Sequence, residues 1–280
     1  NGTLYYQGAP LTIYNMISWG DGAYCFWDKE TPSVYLTSTY YNRYYMFNNN
    51  QIVNNPGIYS GVFINPADYY SSENTLFANA ADFYGGMIDS LLIIDNIPTN
   101  TGEYFINAGT GSTNYFSHVK VSPFSAGFSA NLFLGTVAGK LFKIADVLID
   151  PVTTDIGSPA FPTASVSSVS VGGSEDTLLV TFSNYGISSI WQTFDGGQQW
   201  KEVQGNLPDM PVRWAIYHPQ NSKQALIATE LGVWSTSNLH DANVIWTPQT
   251  NGMANVRVDM LTLRTSDNTV LAASHGRGLF

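Results

Sequence analysis

The 280-residue sequence predicts an all-β fold built from repeated four-stranded units. Three observations predict it: a composition suited to short strands and turns, a self-similar pattern with a period of about 45 residues, and regular Pro and Gly punctuation between strand-like runs. Hydrophobic residues are 44% and aromatics 14% of the chain, whereas charged residues are 11%, less than half of the usual quarter or so. The neutral remainder is dominated by Asn, Ser, Thr, Tyr and Gly, which favour strands and turns, with little of the Lys, Glu and Ala that long helices favour.

Each unit reads as a β-rich strand, a short polar or Pro-containing connection, a second strand, a tight turn and a third strand. Taken in order, looser units lie at residues 34–47, 76–87 and 178–193. Three clearer ones read Leu132-Phe133-Leu134-Gly135-Thr136 before Lys140-Leu141-Phe142-Lys143, Ala225-Leu226-Ile227-Ala228-Thr229 before Gly232-Val233-Trp234-Ser235, and Val270-Leu271-Ala272-Ala273-Ser274 before Gly278-Leu279-Phe280. Anchoring on Tyr35, Phe77, Phe133, Leu179, Leu226 and Leu271 gives spacings of 42, 56, 46, 47 and 45 residues. First strands are expected at Phe63-Ile64-Asn65-Pro66, at 119–123, at 214–219 and at 260–263, three of them closed by Pro where no further ladder bond is wanted. A sandwich or barrel also has short strands at regular intervals, but a period near 45 favours the radial blades of a β-propeller. The expectation is one propeller domain over 1–280. Strand-like text at both ends suggests a piece of a longer chain, and six units plus an N-terminally truncated start imply seven or eight blades.

One turn carries a sharper motif, Thr193-Phe194-Asp195-Gly196-Gly197-Gln198-Gln199-Trp200. Its physical reading is structural: Asp195 accepts turn amides, Gly197 supplies a conformation that a β-carbon obstructs, and Trp200 packs on the hairpin. The motif resembles the Asp-box, or BNR repeat, of sialidase-like, sortilin-like and glycoside hydrolase 74-like propellers, with Thr193, Asp195, Gly197 and Trp200 on its defining positions. A second likeness joins Asn1-Gly2-Thr3-Leu4, Trp19-Gly20-Asp21-Gly22 and His275-Gly276-Arg277-Gly278. These segments resemble large secreted bacterial Asp-box propellers that use the type IX secretion route. The resemblance implies export, display at the cell surface, and a sorting domain beyond residue 280.

In a blade, the turn joining strands two and three shares an end with the loop entering strand one, and ligands are expected there. The candidate binding residues are Trp19, Asp21, Tyr40, Tyr41, Arg43, Tyr84, Arg213, His275 and Arg277, with Asp82, Phe83, Lys140, Tyr185 and Glu230 beside them. This mixture of aromatic and polar groups suits stacking on sugar rings or contact with a protein. The expected function is a secreted adhesion or binding module for a polysaccharide or a cell-surface protein, with the secretion machinery as a further partner.

Two alternatives stand beside it: a glycoside hydrolase, and a spacer inside a larger exported protein. A hydrolase needs two carboxylates about 5 to 10 Å apart, and Asp82 with Glu230 is the weak candidate pair. A sialidase-like site needs three well-placed arginines, and the chain has only Arg43, Arg213, Arg257, Arg264 and Arg277. His118, His218, His240 and His275 lack metal-ligand spacing, and Asp21 is one carboxylate where calcium gathers about 6 to 8 oxygens. No metal or cofactor is expected. The Gly-Ser runs at 109–112 and 172–174 lack a following Lys, so they read as loops rather than phosphate cradles. The formal charge of -10 disfavours nucleic acid as a partner. The best apolar run, 87–97, is short and interrupted by Asp89 and Asp95, so no membrane insertion is expected. Cys25, between aromatics, is expected to be a buried, inert thiol.

Overall fold

A computed structural model describes residues 2–6, 15–99, 101–253 and 255–280. Asn1, part of the expected N-terminal turn, lies outside the described residues. The chain divides into two compact units, Asn1–Val121 with Ser125–Leu134 and Ile144–Thr153, and Ser122–Phe124 with Gly135–Lys143 and Thr154–Phe280.

In the first unit, β1 (Gly2–Tyr5) and β2 (Asn15–Trp19) pair as a two-stranded antiparallel ribbon. A meander follows, β3 (Cys25–Trp27), β4 (Val34–Ser38), β5 (Asn42–Asn48) and β6 (Gln51–Asn54), with β7 (Gly57–Ile58) also pairing on β5. The next is β8 (Ala67–Tyr70), β9 (Thr75–Asn79), β10 (Ser90–Asp95) and β11 (Gly102–Asn107). A third meander, β12 (Phe116–Val121), β13 (Leu132–Thr136), β14 (Leu141–Ala145) and β15 (Val152–Asp155), has residues in both units. The second unit adds β16 (Val166–Val171), β17 (Leu178–Phe182), β18 (Ile190–Thr193) and β19 (Lys201–Glu202), then β20 (Val212–His218), β21 (Asn221–Thr229), β22 (Gly232–Thr236) and β23 (Thr247–Gln249). It ends in a three-stranded sheet, β24 (Val258–Arg264), β25 (Thr269–Ser274) and β26 (Gly278–Leu279).

Six successive blade sheets are therefore present among the described residues, not the seven or eight expected. The N-terminal text forms a ribbon of its own, and the six anchors account for the six sheets. Every anchor lies on a second strand. β4, β9, β13 and β17 are buried at every residue, and a strand covered on both faces reads as a continuous apolar run. Outer strands such as β19 and β23 are short and exposed; Pro248 in β23 is at home on an edge, where no donor is required.

One expected strand is displaced. Residues 63–66 form a loop, and the first strand begins at Ala67, opposite Ala78. The side chain of Asn65 prevents extension by folding back: its Oδ1 accepts the Val62 amide at 2.9 Å, and its Nδ2 donates to the Asn79 carbonyl at 2.8 Å. Phe63 and Ile64 are left exposed. The unit expected over 76–87 also lengthens, because its third strand starts only at Ser90.

Packing joins consecutive sheets within each unit. Leu36, Tyr44 and Met46 of one sheet bury against Tyr69, Leu76, Leu92 and Ile94 of the next. In the second unit, Leu179 and Ile190 pack with Val212, Ala215 and Ile227. Neighbouring first strands there are also stitched by hydroxyls: Ser168 and Ser170 accept the amides of Ala215 and Tyr217 at 2.9 and 3.1 Å, and Ser167 donates to the Val212 carbonyl. These are backbone groups that no ladder satisfies, and leaving them unpaired in the interior would be costly.

Candidate ligand-binding surface

The turn between β4 and β5 places Tyr40 and Tyr41 at the end of the first unit where the loop into β8 also arrives. Tyr41 has a left-handed backbone, φ 60°, held by its amide donating to the Phe63 carbonyl at 3.0 Å. The rings of Tyr40 and Phe63 lie within 8° of parallel with centroids 6.0 Å apart, and Tyr41 stands at 87° and 86° to them. Tyr59 leans on Tyr41 at 6.2 Å. Arg43 lies 5.3 Å from the Tyr59 ring centre and 6.0 Å from that of Tyr40, and its Nη1 donates to the Tyr59 hydroxyl at 3.1 Å. The Trp19-Gly20-Asp21 bend abuts this group, since a β-carbon at Gly20 would sit 3.4 Å from the Tyr40 ring edge. Trp19, Tyr59 and Phe63 are 72%, 76% and 49% exposed, so the cluster is an aromatic platform open to solvent.

Behind the platform is a buried amide network. Asn42 Nδ2 donates to Ser60 Oγ and to the Asn79 carbonyl, each at 2.8 Å, while its Oδ1 accepts from Tyr44 and from Asn65 Nδ2. Asn79 Nδ2 donates to Asn65 Oδ1 and the Ala81 carbonyl, and Asn79 Oδ1 accepts the Phe116 amide. Such a satisfied network has one geometry, so it fixes both loops that carry the rings.

The remaining candidates separate into groups. Phe83 and Tyr84 form an edge-to-face pair and are 77% and 95% exposed. Asp82 beneath them is occupied by its own turn, its Oδ1 accepting the amides of Tyr84 and Gly86 at 2.8 Å each. In the second unit, Arg213 donates through Nε and Nη2 to Glu230 Oε1. Asp259 links onward, with Oδ1 2.6 Å from Arg257 Nε and 3.8 Å from Arg213 Nε, and Oδ2 3.2 Å from His275 Nδ1. Arg213, Glu230 and His275 are thus brought together as one charged ladder through Asp259, with Arg257 beside it. Arg277 and Tyr185 are exposed without joining it, and Lys140 pairs with Asp155 at 3.2 Å. Asp82 and Glu230 each serve a local partner, so neither is presented as a free acid.

Sequence reasoning missed Tyr59, Phe63, Arg257 and Asp259. Phe63 was hidden by its assignment to a strand. Asp259 stands within β24, and its alternation with buried Val258 was the available signal.

The turn from β18 to β19 forms as its residues dictate. Asp195 Oδ1 accepts from Thr193 Oγ1 at 2.7 Å and from the Gln199 amide at 2.9 Å, and these bonds hold its carboxyl below the usual range. Thr193 Oγ1 accepts the Gly197 amide, and Trp200 Nε1 donates to the Ile156 carbonyl at 2.6 Å while its ring rests 4.6 Å from Phe161. Gly197 has φ +94°, and a β-carbon there would lie 2.6 Å from the Ile156 carbonyl oxygen.

Cys25 corrects the expectation of a buried thiol: it is exposed at the surface of β3, although desolvation by its neighbours still raises its pKa. His118 is buried, and desolvation followed by the nearby Lys120 lowers its pKa to about 3. Among the described residues no cluster of His, Cys, Asp or Glu has the arrangement of a metal site, and no helix is long and apolar enough to cross a membrane. A groove of about 380 Å³ opens at the far end of β20 and β21, lined by Ile216, Leu226, Leu263 and Val270 with His218 and Asn268.

No protein-family model matches the chain, and no curated protein matches it. Solved structures do. The chain is similar to the Cps50 (Swd1) β-propeller domain of Myceliophteria thermophila, with TM-score 0.64 and 10% identity over 92% of this chain and 81% of that one. It is similar to the WD40 β-propeller domain of Doa1, with TM-score 0.62 and 11% identity over 93% and 78% of the two chains. It is also similar to BBS1N, solved in complex with ARL6DN, with TM-score 0.57 and 13% identity over 88% and 73%. These neighbours show the fold: the chain is a β-propeller, with six blade sheets among the described residues.

Proposed function

We propose that the chain is a non-catalytic binding module that holds a glycan on the Tyr40, Tyr41, Tyr59 and Phe63 platform. The observation that supports it most is the grouping of these rings, Tyr59 and Phe63 exposed beside the half-buried Tyr40 and Tyr41, and all braced from behind by a satisfied amide network. Two near-parallel faces with a third ring standing across them suit the C–H faces of sugar rings. The occupied state of Asp82 and Glu230 speaks for binding over hydrolysis. A protein partner is the second reading, favoured by the charged ladder of the second unit; the BBS1N neighbour was solved with a bound protein, and a rim of paired charges suits such recognition. The finer reading, an exported Asp-box propeller of a cell surface, draws on the hydrogen bonding of the turn at 193–200 and on the motifs at 19–22 and 275–278.

A glycan array probed with the chain, followed by product analysis of every retained sugar, tests this. The expected result is retention without cleavage, reduced about tenfold or more in a Tyr40→Ala, Tyr59→Ala double variant that unfolds at the wild-type temperature. Undiminished retention by that variant would remove the platform from the account. Cleavage would restore Asp82 and Glu230 as candidates, and Tyr84→Ala reports whether the neighbouring turn takes part.

A further inference from the structure

Arg43 is the cation of the platform, and aromatic rings rather than a carboxylate hold it. Among the described residues, Lys120, Lys140, Lys143, Arg213, Arg257 and Arg264 each lie within 4 Å of a carboxylate; Arg43, like Lys29, Lys201, Lys223 and Arg277, does not, and of these Arg43 is the one held against aromatic rings. The one hydrogen bond of its guanidinium among the described residues goes to the Tyr59 hydroxyl, so most of its five N–H donors have no protein acceptor there. The guanidinium is half-buried and held between the rings of Tyr40 and Tyr59. Packing fixes its direction, and partial desolvation strengthens what it offers to an anion. A planar fork of donors matches a carboxylate in two parallel bonds.

We propose that this platform is a subsite for an acidic sugar, a hexuronate unit of a polysaccharide, whose ring lies on Tyr40 and Phe63 and whose carboxylate takes the free donors of Arg43. The inference rests on the platform being the ligand surface and adds the charge of the ligand. A rigid sugar acid uses both features at once, a flat C–H face and a carboxylate fixed at the ring edge. An acidic peptide side chain would use the guanidinium and leave the parallel rings without a partner. The net charge of -10 opposes a polyanion at a distance, but screening confines that repulsion to about 8–10 Å at physiological ionic strength. Selection therefore happens at contact and not by steering.

The test is calorimetric titration of the chain with oligomers of polygalacturonate, alginate and hyaluronan, each beside its methyl ester, which keeps the sugar face and removes the charge. At least one acid should bind about tenfold or more tightly than its ester. Arg43→Gln should weaken acid binding far more than ester binding, so that the acid-to-ester ratio falls to about one while the protein still unfolds cooperatively, and Arg43→Lys should restore only part of the ratio. Equal binding of acids and esters by the wild type, or a preference that survives Arg43→Gln, overturns the inference while leaving a glycan-binding platform. Binding of a Glu-rich peptide in place of every sugar, sensitive to Arg43→Gln, overturns the sugar and keeps the platform as a binding surface. Binding of neither sugar nor peptide overturns both readings.

Discussion

Aspartate in this protein acts chiefly on backbone amides. Asp28 is buried, and its Oδ1 accepts the amides of Glu30 and Thr31 while Oδ2 accepts the Tyr69 hydroxyl at 2.7 Å. Asp89 accepts the amides of Thr110 and Gly111, and Asp155 those of Gly157 and Ser158. Each bond satisfies turn groups that no strand reaches, which is how 21 acids against 11 bases serve the fold. Buried amide side chains do the same behind the aromatic platform. Asn79→Ala would remove three side-chain bonds and leave the Phe116 amide and the Ala81 carbonyl without them. The expected loss is about 3 kcal/mol or more, read as a lower midpoint in urea unfolding. A loss below about 1 kcal/mol would mean that the loops hold themselves without the network.

At the scale of elements, what was legible depended on burial. Four second strands announced themselves because both faces are covered, as in Leu76, Phe77 and Ala78 of β9, while β21 and β25 were legible from the repeat of strand, turn and strand. Outer strands were not legible: β19 is two exposed charged residues, Lys201 and Glu202, and nothing in an exposed pair distinguishes strand from loop. The platform was half legible, since Tyr40, Tyr41 and Arg43 fall in a recognisable turn, whereas Tyr59 and Phe63 come from a loop shaped by Asn65. The turn at 193–200 was the most legible element, because its function is local. Its two glycines offer a paired test. A β-carbon at Gly196 would lie 3.0 Å from a carboxylate oxygen of Asp176, a side chain free to shift, whereas at Gly197 it meets the backbone oxygen of Ile156 at 2.6 Å. Both residues have positive φ, so each Ala variant carries about 1 kcal/mol or more of backbone strain. Gly197→Ala should exceed Gly196→Ala by a further 1–3 kcal/mol or so, measured as the gap between their denaturant midpoints. Equal losses would show that the turn moves away from Ile156 without penalty.

For the whole molecule, the six sheets of the described residues were countable in advance because each repeats the same second strand, turn and third strand about every 45 residues, and the overcount arose from reading the β1–β2 ribbon as part of a further blade. The same buried interior sets a response to acid that composition does not announce. His118 is held neutral on β12, with Lys120 on the same strand and Asp68 on β8 as its nearest charges, the lysine opposing protonation and the aspartate favouring it. Its folded pKa is about 3, against about 6.5 in an unfolded chain. Because the folded value is the lower one, the unfolded chain binds the proton first, and stability present above pH 6.5 or so is lost as pH falls toward 3. The turn carboxylates add a later limb: Asp195, depressed by its bond from the Gln199 amide, contributes stability that disappears only as pH falls below about 4. Urea unfolding across pH 7.5 to 3 should therefore show a decline that begins near neutrality and amounts to a few kcal/mol or so by pH 4. His118→Gln keeps a polar group of similar reach but cannot be protonated. That variant should start less stable at pH 7.5 and then stay nearly level until the carboxylates titrate, so the two curves converge with acid. Parallel curves for the variant and the wild type would mean that His118 gains a proton in the folded state as readily as in water, and that the acid response belongs to the carboxylates alone.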